Sequence, residues 1–213
     1  MSYIVPIGPY HPALEEPIHA VLYTEGEMIR DAEVFVGYNH RGIEKLATQK
    51  NAIQTVVLVE RVCGICSHSH AMTYAMAVEA INQTEVPKRG QYIRVITAEL
   101  ERLHSHFLWL GIACHVIGHD SMFNHIWDER ELIMDLLEKL SGNRVNYGMV
   151  TIGGSRRDID DNLRREMLQG CEALKGPLSR IIDIALNDKT IAMRTKGVGV
   201  LKREDAIRMG AIG

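Results

Sequence analysis

The sequence predicts a mainly α-helical protein with a small N-terminal β-hairpin, an α+β arrangement built on a bundle of long helices. Three observations predict it. Ile93, Ile96, Leu100, Leu103, Phe107, Leu110, Cys114 and Ile117 alternate steps of three and four, which lays one apolar stripe along a long helix. Leu163, Met167, Cys171, Leu174, Leu178, Ile181 and Ala185 lay a second. Near the start, Val21 and Tyr23, then Ile29, Ala32, Val34 and Val36, flank a turn at Glu25-Gly26-Glu27 and read as a hairpin over 18–36.

The elements follow in order. Pro6, Pro9, Pro12 and Pro17 make residues 3–17 an extended loop. A loop over 37–42 leads into a short helix from Ile43. Ile53, Val56, Val57 and Glu60 mark a helix that delivers Cys63, and Ser67 is placed to cap the next, which runs to Asn82. The long striped helix follows. Another spans 122–140, with Ile126, Ile133, Leu137 and Leu140 inward and Gly142 placed to end it. A polar, glycine-containing connection covers 142–158. The last long helix spans 159–186, bent at Pro177. Ala192 to Leu201 read as a short β element, and Arg203 to Met209 as the start of a helix. Three regions result: 1–50 with the loop and hairpin, 51–186 as a helical bundle carrying the cysteine motif, and 187–213 as the opening of a further region that stops early at Gly213.

The composition is that of an ordinary globular protein, with 46% hydrophobic and 24% charged residues among 213. A formal net charge of −3 argues against a nucleic-acid partner. No run of about 18 uncharged apolar residues is present, so no direct membrane span is expected. The start lacks a signal peptide's basic and apolar regions, which leads to the expectation of a cytoplasmic setting and reduced thiols.

The chemistry is concentrated in Glu60 to His70. Cys63 and Cys66 are three apart at a turn or helix start, so their sulfurs share one side. Gly64 lets backbone approach whatever they bind. His70 returns to that face if a helix begins at Ser67, where it would donate a hydrogen bond to a thiolate. Arg61 adds positive charge that favours thiolate over thiol. Taken alone, a Cys-x-x-Cys pair is most often half a zinc site or a redox dithiol. Zinc wants four ligands, however, and Cys114 and Cys171 are not paired; each falls on an apolar stripe and reads as a buried core thiol. A thioredoxin-like setting needs a preceding strand, whereas Ile53 to Glu60 reads as helix. His104 and His106 lie beside the long stripe and read as structural histidines. His115, His119 and His125 lack the cysteine or carboxylate that would complete a metal-binding spacing.

Arg61, Cys63, Gly64, Cys66 and His70 match the pattern Arg-x-Cys-Gly-x-Cys-x-x-x-His, and so this segment resembles the N-terminal signature of nickel-iron hydrogenase large subunits. Residues Gly8 to Pro17 (Gly8, Pro9, Tyr10, His11, Pro12, Ala13, Leu14, Glu15, Glu16, Pro17) are similar to the opening of the energy-converting, membrane-bound group. Gly37 to Lys45 and Ser141 to Tyr147 fit the same group and also resemble the 49 kDa subunit of respiratory complex I, which shares the fold without the metal. The resemblance covers essentially the whole chain. It implies that Cys63 is a terminal nickel ligand, that Cys66 bridges nickel and iron, that His70 hydrogen-bonds the bridging sulfur, and that Glu16 passes protons beside the metal. It also implies electron transfer to iron-sulfur clusters in a separate small subunit, and membrane-arm partners that hold the assembly peripherally on the cytoplasmic side. The family's second Cys-x-x-Cys pair is absent, so the four-sulfur nickel-iron centre does not close with this chain's cysteines and the isolated chain is expected to be inactive. Two alternatives remain: a metal-free, complex-I-like electron-transfer subunit with Cys63 and Cys66 as a dithiol, and a non-catalytic scaffold that docks an iron-sulfur subunit.

Overall fold

The computed structural model describes residues 2–12, 14 and 16–211. Ala13 and Glu15 of the N-terminal motif, and the stop at Gly213, lie outside the described residues. The chain divides into two compact units, 1–48 and 49–213.

The first unit is a three-stranded antiparallel sheet of order β1-β2-β3, formed by β1 (Ser2–Ile7), β2 (His19–Glu25) and β3 (Met28–Phe35). The expected hairpin is β2 and β3, turning at Gly26 with φ of 60°. The first strand corrects the expectation of an extended loop: Ser2 to Ile7 pair with Glu25 to Ala20. Pro6 is tolerated because β1 is an edge strand, where a missing N–H interrupts no inner ladder. A short helix, α1 (Ile43–Ala47), follows.

The second unit is helical. Its elements are α2 (Ala52–Glu60), α3 (Ser67–Asn82), α4 (Lys88–Val116), α5 (Asp120–Ser141), the two-residue strands β4 (Val150–Thr151) and β5 (Gly154–Ser155), α6 (Asp161–Asn187), α7 (Lys189–Thr195) and α8 (Arg203–Met209). Asn51 caps α2 in a capping box with Gln54, a polar pair that sets where this helix begins. Gly142, at φ of 86°, ends α5 as expected. Asp160 caps α6 by accepting from the Leu163 amide. Residues 189–195 are helix rather than the expected β element, because Asp188 accepts from the Ile191 amide and starts α7.

The main core lies among α4, α5 and α6, with Leu100, Phe107, Ile126, Ile133, Leu137, Leu140, Leu174 and Ile181 buried in it. Two glycines bring these helices close. A Cβ at Gly111 would stand 2.6 Å from the Trp127 indole nitrogen, and one at Gly170 would stand 2.6 Å from Leu136. The second contact explains a further correction. Cys171 is exposed rather than in the core, because Gly170 is the residue that faces α5. Cys114 is buried as expected. A smaller core of Val56, Ala71, Ala75 and Val150 joins α2, α3 and β4. Among the described residues no helix is long and apolar enough to cross a membrane.

Candidate metal centre

The cysteine turn connects α2 to α3. Cys63 and Cys66 are partly buried and close enough that each shifts the other's ionisation. The Ile65 amide donates to Cys63 Sγ at 3.3 Å. Burial pushes the Cys63 thiol up, but amides of Cys66 and Ile65, together with the Cys66 thiol, stabilise its thiolate and bring it below the ordinary 9.0. Cys66 moves the other way, up to about 11, through burial, its bond to Cys63, the Cys63 charge and the nearby Glu101 carboxylate. Of the two thiols, Cys63 is therefore the one that ionises more readily.

Arg61 contributes less to this than its charge suggests. Its guanidinium is engaged by Glu60, with Nη1 2.5 Å from Oε2, and the amides stabilise the charge at Cys63. His70 lies one turn along α3, its amide bonded to the Cys66 carbonyl at 3.3 Å. Among the described residues its ring makes no hydrogen bond to either sulfur. Ser67 begins α3 instead of capping it, and the cap position falls to Cys66. Glu16 belongs to the first unit, where its Oε2 accepts from Asn39 Nδ2 at 2.5 Å. A cavity of about 610 Å³ lies beside α2; its lining includes Glu60 and Arg61, Asn143, Asn146 and Arg156, not the cysteines.

The supports of the turn come from α4 and were not assigned to the site by sequence reasoning. Glu101, buried, accepts from the His68 amide at 2.6 Å, the Ser69 amide at 3.0 Å and the Ser69 hydroxyl at 2.6 Å. It does for α3 what a capping side chain does, from a distant helix. His104 Nε2 donates to the Ile65 carbonyl at 3.1 Å, while its Nδ1 accepts from Arg130 Nη2 at 2.9 Å. Since an arginine only donates and a carbonyl only accepts, these partners fix the neutral Nε2–H tautomer. The signal was present in the sequence: Glu101 and His104 are two ionisable residues set between Leu100 and Phe107 on the buried side of α4.

Burial lowers the His104 ring to about 4, and it does the same for His68, whose Nε2 donates to the Arg94 carbonyl at 2.9 Å. The unfolded chain, with histidines near 6.5, therefore takes up protons first as pH falls. Stability should be intact above pH 6.5 and fall from there to pH 4, by about 3 kcal/mol for each ring, of which about 2 is lost by pH 5. Urea titrations at pH 7.5 and 5.0 check this, and His104→Gln should flatten part of the slope.

Soft sulfur donors suit nickel and low-spin iron. Among the described residues, no group of three or more His, Cys, Asp or Glu side chains converges to hold a metal. The residues present therefore fit two donors of a nickel-iron centre and not the complete set.

Two family models match. One, described as nickel-dependent hydrogenase, covers residues 41–111 and so includes the cysteine turn and Glu101 and His104. The other, the 49 kDa subunit of respiratory-chain NADH dehydrogenase, covers 116–213. The chain is thus similar in its first part to nickel-dependent hydrogenases and in its second to the complex I 49 kDa subunit, both of them oxidoreductase families. On the hydrogenase side, the membrane-bound hydrogenase subunit alpha of Pyrococcus furiosus is 48% identical over 98% of this chain and 49% of its own length. On the complex I side, an NADH-quinone oxidoreductase subunit of Geobacter sulfurreducens is 36% identical over 98% of this chain and 54% of its own. A chain in the structure of the membrane-bound sulfane sulfur reductase, an archaeal respiratory membrane complex, superposes with a TM-score of 0.86 at 30% identity, over all of this chain and 57% of that one. The chain thus spans about half the length of these relatives.

Proposed function

We propose that this chain is the N-terminal part of the catalytic large subunit of an energy-converting nickel-iron hydrogenase, in which Cys63 and Cys66 would hold the nickel-iron centre. The observation that carries this is the pair of partly buried cysteines on the Cys63-Gly64-Ile65-Cys66 turn, supported from beneath by a buried carboxylate and a buried imidazole. Gly64 adds to it. A Cβ there would meet only Val145, at 3.6 Å, so packing within the chain does not demand glycine, whereas a group bound to the sulfurs would.

A bound nickel-iron centre supplies the redox chemistry that splits H₂ into two protons and two electrons. The chain's residues hold that centre and handle protons. Cys63 and Cys66 would lose their protons on binding and offer two soft anionic donors; the remaining sulfur donors would come from outside the described residues. His70, one helical turn from Cys66, would donate to its sulfur when the centre is bound. Glu16 is the carboxylate that carries protons away, and Arg61, paired with Glu60, borders the turn. Electrons pass to iron-sulfur clusters of a small subunit, and membrane-arm subunits hold the assembly peripherally on the cytoplasmic side.

In the complete complex, Glu16→Gln removes a titratable carboxylate while keeping its shape. H₂ turnover should fall at least about tenfold with the metal still bound. Unchanged turnover removes Glu16 from the proton route.

The likeness to a chain of the sulfane sulfur reductase complex favours one second reading, an electron-transfer subunit in which Cys63 and Cys66 act as a metal-free dithiol. Assays of H₂ oxidation and of sulfane reduction on the same preparation separate the two.

A further inference from the structure

The cysteine turn holds little of itself in place. Among the described residues, Ser67 Oγ and His68 Nδ1 are buried without a hydrogen-bond partner, and Cys66 offers no side-chain cap to α3. Its fixed points come from α4. His104, at 1% exposure, grips the Ile65 carbonyl, which lies between the two cysteines. Glu101, at 2% exposure, grips the amides of His68 and Ser69, just after Cys66. The two residues are three apart, on one face of one helix, and each faces the partner it can satisfy: a donor to the carbonyl, an acceptor to the amides. Behind them Arg130 holds His104 twice, through Nη2 to Nδ1 at 2.9 Å and through Nε to its carbonyl at 3.1 Å. The Trp127 ring lies 5.1 Å from that guanidinium.

We propose that Glu101 and His104 are positioning residues that set the spacing and direction of the Cys63 and Cys66 sulfurs, with Arg130 locking His104 in the orientation that reaches the turn. The role rests on the reading of Cys63 and Cys66 as a metal-binding pair. It predicts that the pair is pre-organised in the folded chain before any metal arrives, since every contact in the relay is made by the chain itself. Ligands held in place in advance bind a bridging ion without the cost of ordering the turn.

The test reads sulfur geometry directly and does not depend on nickel. Phenylarsine oxide condenses with two neighbouring thiols, forming two arsenic–sulfur bonds and releasing water. Its affinity for the full chain is measured in a Cys171→Ser background, which removes the exposed thiol, with Cys63→Ser as the control that abolishes binding. His104→Leu should weaken the arsenical at least about tenfold, while His104→Gln, which restores an N–H donor, stays within about threefold of the parent. Arg130→Met leaves His104 in the chain but frees its ring, and it carries the same expectation should His104→Leu not fold. Parent-like affinity in His104→Leu or Arg130→Met overturns the proposal. So does an equal loss in His104→Leu and His104→Gln, which would mark a merely structural side chain. A chain that passes this test and takes up no nickel keeps the positioning role and loses the hydrogenase reading.

Discussion

Replacing Cys63 by serine in the assembled complex is expected to lower H₂/D⁺ exchange at least about a thousandfold, because a serine hydroxyl does not ionise near neutral pH and is a hard donor where a soft thiolate is needed. The size of the effect follows from the arrangement of the pair. Cys63 is the sulfur whose thiolate the Ile65 and Cys66 amides stabilise, so it ionises more readily than Cys66. Loss of that sulfur leaves only Cys66, whose thiol is pushed up to about 11 in the folded chain. Gas exchange read by mass spectrometry checks the expectation. Exchange within about threefold of the parent would mean that Cys63 is not a ligand.

The second large effect is on stability. Arg94 and Glu79 form a buried bidentate pair, Nη2 to Oε1 at 2.6 Å and Nη1 to Oε2 at 3.0 Å, with side chains 5% and 7% exposed. Arg94 also donates to the carbonyls of Gly154 at 3.0 Å and Thr151 at 2.7 Å, and Glu79 accepts from the Gly153 amide at 2.7 Å. The pair thus fastens the β4–β5 hairpin to α3 and α4. The Arg94 hydrogen bonds hold the Glu79 carboxyl below its usual range, so it is charged throughout the neutral region. Arg94→Met strands that charge in the interior and should cost about 3–5 kcal/mol, a large share of a typical domain's total stability. Replacing both residues by methionine should cost less than the single change, since no buried charge is then left unpaired. Urea denaturation of the single and double variants reads the difference.

The parts of the fold that were legible in the sequence are those with strong local determinants. The α4 and α6 stripes, the Gly142 stop and the hairpin at Gly26 follow from spacing and from glycine's access to positive φ. The phase of the α4 stripe was legible only in part. Its buried line runs through Ile93, Thr97, Leu100, His104, Phe107, Gly111 and Cys114, so a threonine, a histidine and a glycine lie on the inner face while Ile96 is 36% exposed. Apolar residues alone do not reveal that phase, because His104 is buried through its two hydrogen bonds and Gly111 through the indole that crosses it. The β1 strand was illegible for a related reason: Pro6 argues against a strand locally, and pairing with β2 overrides it. Asp188 was the missed signal for α7, a capping residue followed by a helix of seven residues that carries no apolar stripe.

At the site, the pair Cys63 and Cys66 was legible from its spacing. Their supports, Glu101 and His104, were not, since they lie more than thirty residues along the chain and reach the turn only through the packing of α3 on α4. Placing Cys171 in the core failed for the simplest reason: one position away, Gly170 has no side chain to keep α5 at a distance.

Nickel binding at Cys63 and Cys66 is tested most directly by the nickel content of the intact complex that contains this chain, measured by inductively coupled plasma mass spectrometry against amino-acid analysis. One nickel per chain is expected in the parent complex and none after Cys66→Ala. An intact complex whose iron-sulfur clusters are fully occupied, yet which carries no nickel, would contradict the hydrogenase reading.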